Sequence, residues 1–217
     1  THSFYIGHLL SGIELGCIAT NSEKEYQEFQ LYRNHGMIRT IKDLNNVSNP
    51  IYKDVQNELV DDAFSFARLG NNYRPIEINT YAASLDLKRA GEYKEQRQYL
   101  FGLFKEALDY NKYYLPYENH NRVDNTHFCL PIIIKKGYTL FPDRMIQNVK
   151  NVLDDNLIER RPIISQTLTR HSIYQKYGNY WELENSEYLS KYGCYCGLHP
   201  KVKKSQILEL TRLLNDI

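Results

Sequence analysis

The chain has 217 residues, 42% of them hydrophobic, which is enough for one large domain or two small ones with cores of their own. Twenty-seven basic residues against 26 acidic ones leave a formal charge of +1, so no nucleic-acid surface is expected, and the basic run Lys201-Val202-Lys203-Lys204 reads as the opening of a solvated helix. No stretch approaches the roughly 18 consecutive apolar residues of a membrane span, and no charged segment, apolar run and cleavage site open the chain, which makes the cytoplasm the expected location.

In chain order, Ser3 to Tyr5 and Cys17 to Thr20 read as short strands joined by a turn containing Gly12 and Gly16. Asn21-Ser22 caps a polar helix reaching Tyr32 or Arg33, with Gly36 as its stop. Between Thr40 and Leu69 the pattern is irregular and rich in Asn and Asp, as in a surface excursion. Pro75 suits a first helical turn, and Ile78, Tyr81, Ala82 and Leu85 recur on one face of the helix that follows. This helix is expected to run toward Tyr110, with a weak point at Gly91. Thr126 to Ile134 reads as a buried strand. Pro142 begins a helix with a stripe of Met145, Val149, Val152 and Leu153, and the last helix repeats the pattern with Ile207, Leu210, Thr211 and Leu214. Cys17, Cys129, Cys194 and Cys196 are too few and too irregular for a disulfide framework, so reduced thiols are expected. Cys194-Tyr195-Cys196 with His199 lacks the two-residue gap and the second pair of a zinc knuckle, so no metal is expected.

Several phrases carry a family resemblance. They are Ser3-Phe4-Tyr5-Ile6-Gly7-His8, Arg33-Asn34-His35-Gly36, Gly70-Asn71-Asn72-Tyr73-Arg74-Pro75-Ile76-Glu77, Arg160-Arg161-Pro162, Leu168-Thr169-Arg170 and Gly193-Cys194-Tyr195-Cys196-Gly197-Leu198-His199-Pro200. Together they resemble the sugar-modifying DegT/DnrJ/EryC1/StrS aminotransferases, which depend on pyridoxal 5'-phosphate or pyridoxamine 5'-phosphate. His8 stands where that family places its Schiff-base lysine, five positions after Ser3, the family's phosphate-binding serine. Within the family the pattern most resembles the nucleotide-sugar 3-dehydratase branch acting on GDP-4-keto-6-deoxymannose. Imidazole cannot hold the cofactor covalently as lysine does, but with a pKa of about 6.5 it can gain and lose a proton near neutral pH.

The resemblance implies an α/β fold, the C-terminal portion of a fold-type-I transferase. Residues 1–112 would be the end of the cofactor-binding large domain, with a dimer-contact loop and a long helix, and residues 113–217 a small α+β domain. It implies His8 as catalytic residue, Ser3 and Asn72 at the cofactor phosphate, the latter across a homodimer interface, and Arg74 at the sugar. Arg161, or alternatively Arg170, would meet the nucleotide diphosphate of a GDP-linked 4-keto-6-deoxyhexose, with glutamate as amino donor. Leu9 and Leu15 depart from the family pattern, Leu15 at a glycine of its turn. The pattern begins at the family's lysine segment, so Thr1 is expected to mark a truncation, a proteolytic product or one half of a split enzyme whose N-terminal half is a separate chain. Two alternatives stay open: a sugar aminotransferase relative, and a non-catalytic remnant serving as an interaction module.

Overall fold

The computed structural model describes residues 1–41, 64–115, 125–163, 165–175 and 183–217. They form two compact units, Thr1–Lys88 and Arg89–Ile217. The packing boundary thus precedes residue 112, and the helix from Ala90 onward belongs to the second unit. Most of the expected excursion between Thr40 and Leu69 lies outside the described residues.

The first unit opens with β1 (His2–Ser3) and β2 (Gly16–Cys17), an antiparallel pair in which His2 faces Cys17 and Ser3 faces Gly16. The Phe4 N–H donates to the Leu15 carbonyl at 2.8 Å and the Ile6 N–H to that of Ile13 at 2.8 Å, carrying the pairing toward the loop. Helix α1 (Glu23–Arg33) starts where the Ser22 hydroxyl accepts the Glu25 N–H at 3.3 Å, as an N-cap serine should. Its stop is a left-handed turn over two residues, His35 (φ 59°) and Gly36 (φ 81°). The Gly36 N–H returns to the Leu31 carbonyl at 2.7 Å, the six-to-one bond of a Schellman end. A Cβ on Gly36 would sit 1.8 Å from the Arg68 carbonyl oxygen, so only glycine lets the 65–73 segment lie against the helix end.

Helix α2 (Glu77–Lys88) ends three residues before the expected weak point, and Arg89 caps the next helix. Ile78 and Tyr81 are each 65% exposed and Leu85 is also exposed, so the apolar face that the spacing marks points outward. The buried residue is Ala83. Periodicity reports an apolar face but not whether this chain supplies something to cover it.

The second unit has the more complete core. Helix α3 (Ala90–Ala107) precedes a four-stranded antiparallel sheet of β3 (Tyr113–Tyr114), β4 (Cys129–Ile134), β5 (Arg160–Pro162) and β6 (Gly193–Gly197), in the order β3-β4-β6-β5. Helices α4 (Pro142–Asp155), α5 (Ser172–Gln175), α6 (Glu184–Tyr192) and α7 (Lys204–Asn215) complete it. Leu130, Ile132 and Ile134 of β4 meet Met145, Val149 and Leu153 of α4 and Ile207, Leu210 and Leu214 of α7 in one buried cluster, and Thr211 is buried with its hydroxyl donating to the Ile207 carbonyl at 3.1 Å. Val152 is only half-buried, and Ile146 takes its place on the buried face. Asn215 ties the ends of α3 and α7 together, donating to the Ala107 carbonyl at 2.7 Å and accepting the Asp109 N–H at 2.9 Å. No helix among the described residues is long and apolar enough to cross a membrane.

Cys194 and Cys196 are buried on β6, and desolvation pushes their thiols up to about 11 and about 12. Thiols raised on folding contribute stability that is intact below the unfolded thiol's pKa of about 8.5 and is lost as pH climbs through the folded values. Alkylation with iodoacetamide at pH 8 is therefore expected to label exposed Cys17 at least tenfold faster than Cys194 or Cys196, and urea midpoints should fall between pH 9 and 12. Equal labelling of all three in the folded protein contradicts this packing.

Candidate functional site

His8 lies on the turn beyond β1, where its backbone N–H donates to the Tyr5 carbonyl at 2.9 Å. Its imidazole packs edge to face against the Tyr5 ring, with centroids 5.5 Å apart, a favoured geometry for two aromatic rings. Ser3 is on the same hairpin, and its hydroxyl oxygen accepts the Tyr5 N–H at 3.4 Å. That leaves the hydroxyl proton to donate outward.

Asn72 and Arg74 form a second pair. The segment carrying them is laid along the end of α1: the Asn71 N–H donates to the Tyr32 carbonyl and the Tyr73 N–H to that of Arg33, each at 2.9 Å. Arg74 Nε donates to Asn72 Oδ1 at 3.1 Å. The amide's acceptor is thereby engaged, and the pair presents N–H groups to solvent, the donor set that suits a phosphate or another anion. Arg74 also lines a cleft of about 860 Å³ together with Thr1, His2, Tyr26, Phe29, Arg33 and Tyr73, whereas Ser3, His8 and Asn72 are not among its lining residues. His35, in the Arg-Asn-His-Gly phrase, is half-buried at the left-handed helix stop, a structural position.

The remaining arginines lie in the second unit. Arg161 on β5 is exposed and binds Glu159, with Nε and Nη2 at 2.9 and 2.6 Å from the same oxygen. Arg170 grips Glu187 with two hydrogen bonds of 2.9 and 3.0 Å, which hold that carboxyl below its usual range. Among the described residues no group of three His, Cys, Asp or Glu side chains could hold a metal ion.

Two residues with no motif of their own secure the turn that carries His8. Asp86 Oδ2 accepts the Ser11 N–H at 2.9 Å, and Asn79 Nδ2 donates to the Glu14 carbonyl at 2.9 Å. With Ala83, which a Cβ on Gly12 would approach to 3.1 Å, they form one face of α2 at helical spacing. Their signal in the sequence is only that spacing, overshadowed by the apolar stripe beside it. The left-handed residue of the turn is Ile13 (φ 67°) and not Leu15, so leucine at position 15 asks nothing of the backbone that only glycine can give. Ser3, Asn72 and Arg74 offer donors suited to a phosphorylated cofactor and an anionic substrate, and His8 offers an imidazole that cannot compete for a covalent link.

Comparison with known proteins places these features in context. The model of the DegT/DnrJ/EryC1/StrS aminotransferase family matches residues 1–214. A GDP-4-keto-6-deoxy-D-mannose 3-dehydratase of Yersinia pseudotuberculosis is 25% identical over 217 residues, covering 99% of this chain and 53% of the relative. One from Escherichia coli O55:H7 is 27% identical over 206 residues, covering 92% and 50%. The solved structure of an E. coli GDP-4-keto-6-deoxy-D-mannose-3-dehydratase with bound hydrated PLP matches with a TM-score of 0.80 and 25% identity, over 98% of this chain and 53% of that one. The chain spans about half the length of the curated relatives it matches.

Replacing Asp86 with Ala removes the acceptor of the Ser11 N–H. A hydrogen bond to a charged group contributes about 1.5–3 kcal/mol, so amide exchange at Ser11 and Ile13 is expected to accelerate at least tenfold while exchange in α7 stays unchanged. Unaltered exchange at Ser11 contradicts the role given to Asp86.

Proposed function

The chain belongs to the DegT/DnrJ/EryC1/StrS aminotransferase family, and from that premise we propose that it is half of a pyridoxamine-phosphate-dependent nucleotide-sugar 3-dehydratase. The observation that carries the reading is the imidazole of His8, held on the hairpin turn beside Tyr5 and Ser3. The substrate is a GDP-linked 4-keto-6-deoxyhexose, the amino donor is glutamate, and the working enzyme is a cytoplasmic homodimer with composite sites. Residues 1–112 and 113–217 then correspond to the end of the large domain and the small domain. The structure's division at Lys88 is a packing boundary inside that scheme.

Pyridoxamine phosphate, when bound, supplies the amine that condenses with the 4-keto group and the conjugated ring that accepts electron density. The Ser3 hydroxyl and the Nδ2 amide of Asn72 of the partner subunit would hold its phosphate. Arg74, positioned by its bond to Asn72 within the chain, faces the sugar. Arg161 meets the nucleotide diphosphate by giving up Glu159, an exchange that an exposed ion pair makes at little cost. His8 would serve as base and then as acid, accepting one proton and delivering one to the departing C3 hydroxyl, which leaves as water. One group can serve both steps because imidazole changes protonation near neutral pH. A side chain unable to form the covalent link also leaves the aminated cofactor free to be renewed by glutamate.

Tested in the complete enzyme, His8→Asn is expected to lower the dehydration rate by about 10²–10⁴-fold, the usual contribution of a positioned acid–base group. Binding of the nucleotide sugar should change much less. A variant that dehydrates at the parental rate removes the imidazole from the mechanism.

A further inference from the structure

The segment that carries Asn72 and Arg74 is joined to the end of α1 by two isolated antiparallel bridges, Met37 with Phe66 and Asn34 with Asn72. Between those bridges lie residues 35 and 36 on one side and residues 67 to 71 on the other. The longer side therefore bulges. Its backbone bonds do not choose a register, because every non-proline residue offers the same N–H and carbonyl. Register nonetheless decides what the segment presents. Asn72 and Arg74, two residues apart, share one side of extended chain, and a slip by one residue would put Asn71 and Tyr73 there instead. The amide would survive that slip and the guanidinium would not.

Arg68 stands in the bulge and reaches back to α1. Its two Nη atoms bind the two carboxylate oxygens of Glu28, Nη2 at 3.1 Å, a fork-to-fork pairing that fixes direction as well as distance. Its guanidinium carbon lies 4.8 Å from the centre of the Tyr32 ring. Glu28 and Tyr32 are four residues apart on α1, so one helix face supplies both the anion and the aromatic surface. Only 14% of the Arg68 side chain and 15% of the Glu28 side chain are exposed, and solvent screens such a pair far less than an open one. Two residues on, Gly70 lies against Gly36, where an added Cβ would come within 2.4 Å of the Gly36 nitrogen. The bulge is thus held on one side of exposed Leu69 by a side chain and on the other by a contact that admits none.

We propose that Arg68 is a positioning residue: through Glu28 and Tyr32 it sets the register of residues 70–74 and hence the placement of Asn72 and Arg74. Arg68 itself touches neither cofactor nor substrate. Its bearing on the reaction rests on the roles given to Asn72 and Arg74 in the proposed function, whereas the register it sets is independent of them.

Amide exchange in this chain reads the register directly. Arg68→Met is expected to accelerate exchange of the Asn71 and Tyr73 N–H groups, which donate to the Tyr32 and Arg33 carbonyls, at least tenfold. The Phe4 and Ile6 N–H groups of the hairpin should change less than twofold. Glu28→Gln should act like Arg68→Met, and the double variant should exceed neither, since side chains that work as one unit are not additive. Arg68→Lys, which keeps the charge and loses the fork, should fall between. The inference is overturned if the Asn71 and Tyr73 rates stay unaltered, if the hairpin amides accelerate equally, or if the two single effects add. In the enzyme of the proposed function, Arg68→Met should raise the pyridoxamine phosphate concentration for half-maximal rate at least tenfold, with kcat at saturation changed less than threefold. A general loss of folded protein would lower kcat and leave that concentration where it was. Accelerated exchange with an unaltered cofactor requirement counts against the phosphate role of Asn72 and leaves the register role standing.

Discussion

The grip of α2 on the hairpin loop is the constraint on which the site depends. Two-residue strands cannot hold a turn in one place, because few backbone bonds oppose the entropy of the loop between them. Asp86 and Asn79 add fixed points at Ser11 and Glu14, on the far side of the loop from His8. The same helix begins directly after Asn72 and Arg74. One helix therefore holds the loop that follows His8 and also succeeds the segment carrying Asn72 and Arg74.

A site of this kind works only when water is kept out. Donors and an acid–base group exposed to solvent are screened, and the charge that develops as a hydroxyl leaves is stabilised far better by fixed dipoles in a dry pocket. In the first unit the hairpin carrying Ser3 and His8 is open to solvent, and so are Asn72 and Arg74. Ile78, Tyr81 and Leu85 of α2 are exposed as well. The second unit, by contrast, buries its sheet and helices in one core cluster.

Much of this was legible in the sequence where local chemistry decides the outcome. The Ser22 cap, the Pro142 start and the α7 stripe of Ile207, Leu210, Thr211 and Leu214 follow from propensity and period, and the structure holds them where the pattern puts them, whereas Pro75 lies two residues ahead of the first residue of α2. The α2 stripe shows the limit, since period identifies an apolar face whether its cover lies in this chain or in another. The helix stop at Gly36 was visible, but the sharing of left-handed backbone with His35 was not, because histidine carries no general signature of that conformation. Asp86 and Asn79 escaped notice because a polar residue holding a distant loop looks the same in sequence as one facing water. The family phrases single out His8, Ser3, Asn72 and Arg74, none of which carries a periodic signature.

The central claim is that an imidazole moves protons while a sugar loses oxygen, where relatives with lysine would transfer an amino group. Mass analysis of the product formed by the complete enzyme from GDP-4-keto-6-deoxymannose and glutamate addresses it most directly. The account predicts a keto sugar one oxygen atom lighter than the substrate, with ammonia and 2-oxoglutarate released. A product that keeps its C3 hydroxyl and carries an amino group at C4 would contradict it.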